Sequence, residues 1–279
     1  MSKLNYRIAL LATVLFSSSL LADSSVKRII SLAPHATEIA FAAGLGDKLI
    51  AATDHSDYPE AAKKLERVAN YQGIKLERIV ALQPDLIITW PSGNPAKELD
   101  KLKKLGFKIY ESKTGTFQDI TNNLIQLSQY ADDPTIGKKA AKDFEQALAN
   151  LKQRYATDQP VKYFYQLSTK PIITVAQHSW PSEVFSYCGG ENIFVDSASP
   201  YPQVGEEQVV IRQPDVIFTS RHAVQNESLW NGWASQVPAV QYKQVWSLNS
   251  DWINRPTPRT VYAVEQVCDF FEQARKNIK

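Results

Sequence analysis

The sequence predicts an α/β protein of two lobes joined by a single long α-helix, with a ligand cleft between the lobes. Three observations predict it. Between Asp133 and Tyr155, apolar or small residues fall at Ala140, Ala141, Phe144, Ala147, Leu148, Leu151 and Tyr155, with Lys138, Lys139, Lys142, Asp143, Glu145 and Gln146 on the other side. Steps of three or four mark one amphipathic helix, which at about 1.5 Å per residue is as long as a small domain is wide. Similar segments lie on each side of it. Gln83-Pro84-Asp85 aligns with Gln213-Pro214-Asp215 at a spacing of 130 positions, bringing Leu86-Ile87-Ile88-Thr89 onto Val216-Ile217-Phe218-Thr219, Tyr71 onto Tyr201 and Glu77 onto Glu207. Finally, short apolar runs alternate with helical patterns throughout, the mark of a parallel sheet. The expected divisions are a leader over 1–22, a first lobe over 23–132, the joining helix over 133–157 and a second lobe over 158–279.

The elements follow in order. The first lobe opens with a strand from Arg28 to Leu32, a sharp Ala33-Pro34-His35 turn and a helix from Thr37 to Ala43, with Thr37 as its cap and Gly44 as its stop. A second strand runs from Leu49 to Thr53, and the polar loop from Asp54 to Pro59 follows. Then come the helix Leu76 to Leu82, the strand Leu86 to Trp90, the helix Ala96 to Leu105, the strand Lys108 to Tyr110 and the helix Phe117 to Tyr130. Asp133 is placed to accept the first free N–H of the joining helix, and Pro134 suits its start. The second lobe reads as strands at Val161 to Leu167 and Ile172 to Val175, a helix from Ser182 to Tyr187 and a long loop from Ser197 to Val204. The repeat helix from Glu206 to Ile211 and its strand follow, then a strand from Gln244 to Leu248, the loop Asn249 to Arg255 and a last helix from Pro258 to about Lys276.

Lys and Arg number 31 against 29 Asp and Glu, so the chain lacks the basic field that nucleic acid requires. Lys3 and Arg7 precede an apolar run from Ile8 to Phe16, a Ser cluster and Leu20-Leu21-Ala22. That order predicts a secretory signal peptide cut after Ala22, because the run is short of the about 20 residues of a membrane span. Export to an oxidising compartment makes Cys188 and Cys268 an expected disulfide, two buried thiols being the alternative.

No nucleophile elbow, phosphate loop, paired metal-ligand spacing or HExxH is present. The histidines His35, His55, His178 and His222 are far apart in sequence, and a metal site built on them would also need a carboxylate such as Glu38, Asp54 or Asp57. Loops that follow strands border the ligand crevice in open α/β folds. Here those loops carry Pro34, His35, Tyr58, Tyr71 and Trp90 in the first half and Trp180, Tyr201, Trp252 and Arg255 in the second. Aromatic rings facing a cleft suit a large, partly apolar ligand; Trp90, ending an apolar strand, has the strongest case for being core instead. With Arg255 and Arg221 the chief cations, a neutral ligand fits better than an anionic chelate. Glu77 and Glu207 stand near the starts of matching helices, where a carboxylate favours the helix dipole. Their pairing equally forms a pseudo-twofold pattern able to dock on a twofold partner, with Glu206 a neighbouring competitor.

The segments Arg28 to Pro34, Ser56-Asp57-Tyr58-Pro59, Leu76 to Asp85 and Cys188 to Phe194 resemble those of substrate-binding proteins with a rigid interlobe helix. The resemblance implies the class III periplasmic binding protein fold, two Rossmann-like lobes, and delivery of cobalamin, haem or ferric siderophores to ABC importers. Tyr71-Gln72-Gly73, Trp90 with Gly93-Asn94, Tyr201-Pro202-Gln203-Val204, Ser250-Asp251-Trp252 and the cysteine pair resemble the cobalamin-binding branch of that family. In that branch aromatic side chains hold the corrin and one glutamate per lobe meets arginines of the permease. The likeness implicates Tyr71, Trp90, Tyr201 and Trp252 around cobalamin and Glu77 and Glu207 in docking. Tyr71 and Tyr201 stand where tryptophan is familiar, and His55 where a tyrosine is expected. The resemblance thus implies a non-enzymatic periplasmic receptor that passes vitamin B12, a ligand and not a cofactor, to an inner-membrane ABC permease with its ATPase subunits. Nothing in the sequence suggests an oligomer, so a monomer is expected. The alternatives are a haem or siderophore receptor with His35 or His55 on iron, and a periplasmic hydrolase using Asp57 or Asp251.

Overall fold

The computed structural model describes residues 25–221 and 227–277. The expected signal peptide, with its cut after Ala22, lies outside the described residues, as does His222.

In the first lobe, β1 (Ile29–Ser31), α1 (Pro34–Ala42) and β2 (Leu49–Thr53) precede β3 (Glu66–Asn70) and the short β4 (Gly73–Ile74). They are followed by α2 (Leu76–Leu82), β5 (Leu86–Thr89), α3 (Ala96–Lys104), β6 (Ile109–Glu111) and α4 (Phe117–Ser128). The sheet runs β4-β3-β2-β1-β5-β6 and is parallel except for β4. Helices cover both faces, so β1 and β5 are buried throughout and read as continuous apolar runs. Helix α1 begins at Pro34, earlier than the sequence predicts, because Pro at the first helical position has its φ already set and needs no N–H partner. Thr37 therefore does not cap it. Its hydroxyl instead lies 3.1 Å from the Ala33 carbonyl and 3.0 Å from the Ser31 and Ser56 hydroxyls.

Helix α5 (Thr135–Arg154) joins the lobes. Asp133 Oδ1 accepts the Thr135 N–H at 2.9 Å, and the predicted stripe faces inward: Ala141, Phe144, Leu148 and Leu151 are buried. The second lobe contains β7 (Val161–Gln166), the hairpin β8 (Ser168–Thr169) and β9 (Ile172–Ile173), α6 (Trp180–Tyr187), β10 (Gly190–Asn192) and α7 (Glu206–Arg212). After β11 (Val216–Ser220) come a 3-10 helix (Glu227–Trp233), α8 (Pro238–Gln241), β12 (Val245–Leu248), α9 (Ser250–Ile253) and α10 (Thr260–Arg275). Its four-stranded sheet runs β10-β7-β11-β12, all parallel. The expected strand from Ile172 to Val175 is instead half of a hairpin outside that sheet, and the loop from Asn249 to Arg255 contains α9.

The internal repeat has a structural meaning. Gln83 and Gln213 each end their helix in the left-handed conformation, at φ 45° and 47°. Two residues on, Asp85 Oδ2 accepts the Lys27 and Arg28 N–H groups at 2.9 Å, and Asp215 Oδ2 accepts that of Lys162 at 2.9 Å. Each Gln-Pro-Asp thus turns a helix into a strand and fastens it to the start of its neighbour.

One apolar core spans both lobes, from Ile29, Leu86 and Ile88 through Phe117 and Phe144 to Tyr163, Tyr165, Phe218 and Phe271. The intervening residues Ile30 and Ile87, or Phe164 and Ile217, point to the opposite faces and form separate outer clusters. Cys188, capping α6, is bonded to Cys268 of α10 at S–S 2.09 Å, as the export reading expects. On the chain-entropy account, closing so long a loop contributes up to about 4 kcal/mol.

Candidate functional site

In the first sheet the chain runs outward from β1 through β2 and β3, then returns to β5 on the other side of β1. In the second, β7 has β10 on one side and β11 on the other. Crevices form outside the carboxyl ends of strands at such switch points, and a cavity of about 940 Å³ lies where the two meet. It is lined by Pro34, His35, Trp90, Pro91 and Ser92 from the switch loops of the first lobe and by Leu167, Trp180, Pro181, Pro200 and Tyr201 from the second. His55, Lys113, Thr114, His178, Asn254 and Arg255 also line it.

The Trp90 loop is held from several sides. Its backbone N–H donates to Asn94 Oδ1 at 2.7 Å, Asn94 Nδ2 donates to the Leu32 carbonyl at 2.8 Å, and Trp90 Nε1 donates to Thr114 Oγ1 at 3.1 Å. A Cβ on Gly93 would lie 2.0 Å from the indole, so only glycine leaves room for this ring. His35 meets Trp90 edge to face, with ring centres 5.4 Å apart. Burial, with Arg255 nearby, pushes the His35 imidazole down to about 3, so it is neutral at physiological pH. Trp180 is 6% exposed, donates Nε1–H to the Ile253 carbonyl at 2.8 Å and packs edge to face on Phe117.

Behind Arg255 lies an ion-pair group drawn from both lobes. Its Nη1 is 2.6 Å from Asp57 Oδ1 and 3.4 Å from Glu38 Oε1, and its Nη2 is 3.2 Å from Asp251 Oδ1. Arg259 grips the buried Glu38 carboxylate through Nε at 2.9 Å and Nη2 at 2.5 Å. Partial burial would raise the Asp57 carboxyl, but the Arg255 hydrogen bond and charge outweigh it and hold it below the usual carboxylate range.

Residues 29–252 match the model of the family described as periplasmic binding protein. The chain belongs to the periplasmic binding protein family. It is 62% identical over 270 residues to the vitamin B12-binding protein of Vibrio parahaemolyticus, covering 97% of this chain and 98% of that one. The crystal structure of the periplasmic vitamin B12 binding protein BtuF of Vibrio cholerae is 60% identical, with a TM-score of 0.87 over 90% of this chain and 99% of that one. The periplasmic heme binding protein HutB of Vibrio cholerae shares the fold at 18% identity, with a TM-score of 0.75 over 88% and 98% of the two chains.

Within this periplasmic binding protein the structure gathers Pro34, His35, His55, Trp90, Trp180, Tyr201 and Arg255 of the sequence-predicted set around one cavity. The remaining three do not line it. The Tyr58 ring lies against Arg259 at 3.9 Å, Trp252 packs on Tyr262 at 5.4 Å, and Tyr71 on the turn between β3 and β4 is 93% exposed. Tyr58 and Tyr71 follow β2 and β3 of the first sheet, and Trp252 follows β12 of the second. The expectation that Trp90 has the strongest case for the core is reversed, since Trp90 is half-buried and Trp180 is the ring enclosed by the core. Ser112 to Gly115 were missed although they follow β6, and the strand-loop rule would have found them. His178 lies with Trp180 in the segment after the expected strand from Ile172 to Val175, so the rule reached it, but only the tryptophan was taken from that segment. Glu77 and Glu207 are exposed on the first turns of α2 and α7, whereas Glu206 accepts the Trp233 indole N–H at 3.2 Å.

Proposed function

We propose that this chain, exported and freed of its leader, is a monomeric receptor that captures cobalamin in the periplasm and delivers it to an inner-membrane ABC permease with its ATPase subunits. The observation that carries the reading is the cavity itself. Its volume of about 940 Å³ is at the upper end for small-molecule sites, and its walls are chiefly aromatic and proline surface. The vitamin B12-binding relatives, matched over nearly their whole lengths, support the same ligand. Pro34, His35, His55, Trp90, Trp180, Tyr201 and Arg255 then surround the corrin, and Tyr58, Tyr71 and Trp252 belong to the rim of the cleft. Isothermal titration with cyanocobalamin, haemin and a ferric hydroxamate in parallel tests it: tight one-to-one binding of cyanocobalamin is expected, and weak or no heat from it beside tight haemin binding would overturn it.

A haem receptor is the second reading, favoured by one observation: His35, His55 and His178 line the same cavity. A Soret band lost on substitution of one histidine would support it. The hydrolase reading has no support, because Asp57 and Asp251 both pair with Arg255 and the family is one of binding proteins.

A further inference from the structure

Among the described residues that line the cavity, Arg255 and Lys113 are the Lys and Arg side chains. Lys113 is exposed and its charge is screened by solvent. Arg255 is only 15% exposed and faces three carboxylates: Asp57 and Glu38 on Nη1, Asp251 on Nη2. Taken with Arg259, which pairs with the same Glu38, the group holds two positive and three negative charges. A guanidinium in this state is no anchor for an anion. An incoming carboxylate would compete with ion pairs already formed and meet excess negative charge at close range, whereas a carboxamide carries no charge to repel.

We propose that Asp57, Glu38 and Asp251 make the cavity selective for an uncharged ligand periphery by neutralising Arg255, so that an amide-rimmed metal macrocycle is accepted and a carboxylate-rimmed one is refused. The inference rests on the corrinoid reading of the cavity and specifies the chemistry its wall selects. Glu38 and Asp57 come from the first lobe and Arg255 and Asp251 from the second, so the selection exists only where the lobes meet.

The test is titration of the oxidised protein and of its Asp57→Asn variant with cyanocobalamin, with a cyanocobalamin monocarboxylic acid in which one peripheral amide is hydrolysed, and with haemin. The wild type should bind the acid about tenfold or more weakly than the amide, and Asp57→Asn should narrow that ratio by about threefold or more, since removing a repulsive charge changes relative affinities. An unchanged ratio would overturn the proposal. Asp251→Asn releases the other guanidinium nitrogen and supplies the same reading if Asp57→Asn does not fold. Failure of cyanocobalamin to bind the wild type would sink the proposed function instead. The charge argument is then read from haemin, where tighter binding by Asp57→Asn upholds it and no gain overturns it.

Discussion

Two tryptophans, both expected at the cleft, divide between binding and stability. Trp90 is half-buried, pinned by Asn94 and Thr114, and seated over Gly93. Trp180 also touches the cavity, but it is packed on Phe117 and bonded to the Ile253 carbonyl within the core. Trp90→Ala is expected to weaken cobalamin binding by about 1 to 3 kcal/mol, the range for a central aromatic contact, with little change in the denaturation midpoint. Trp180→Ala should cost about 3 to 5 kcal/mol of stability, as truncation of a buried aromatic does. Titration calorimetry and urea unfolding on the two variants separate the effects; equal stability loss in both would remove the distinction.

At the scale of elements, the amphipathic stripe located α5 but did not show how closely it packs. Gly137 lies on its buried face, where an added Cβ would come within 2.6 Å of Ser128 Cβ, 2.8 Å of the Leu124 carbonyl and 3.1 Å of Ala43 Cα. Two of these are backbone atoms that cannot swing away. Alanine is the better helix former by about 1 kcal/mol, yet overpacking of this kind costs about 1 to 3 kcal/mol, so Gly137→Ala should lower the urea midpoint. A raised midpoint would mean that α5 can move off α4. Nearly every long element was legible from its periodicity. The short ones were not: β3, which opens with the charged Glu66 and Arg67, and the three-residue β10 are strands because a neighbouring strand pairs with them, a fact that no local pattern carries.

For the whole molecule, the single core running beneath both lobes leaves little apolar surface free to slide, so the lobes are held in one relation. Helices α2 and α7 run antiparallel to the strands they precede, which brings Glu77 and Glu207 to the carboxyl edges of their sheets, the side on which the cavity opens. Both are exposed and on equivalent turns. Changing both to alanine is expected to leave cobalamin affinity nearly intact while lowering transport in cells by about tenfold or more, a loss typical of paired interfacial charges. Transport at the wild-type rate would remove the docking role.

The sequence by itself determined the two-lobe α/β architecture, the joining helix, the repeated Gln-Pro-Asp turn and the aromatic, cation-poor character of the strand-end loops. Each of these is local, a matter of periodicity, chain stiffness or residue type. Only the tertiary structure decided which rings reach the cavity and that Arg255 is neutralised from across the cleft. Burial and charge pairing depend on which distant segments meet, and Glu38 reaches Arg255 only because two sheets, 217 positions apart in the chain at that contact, share one core.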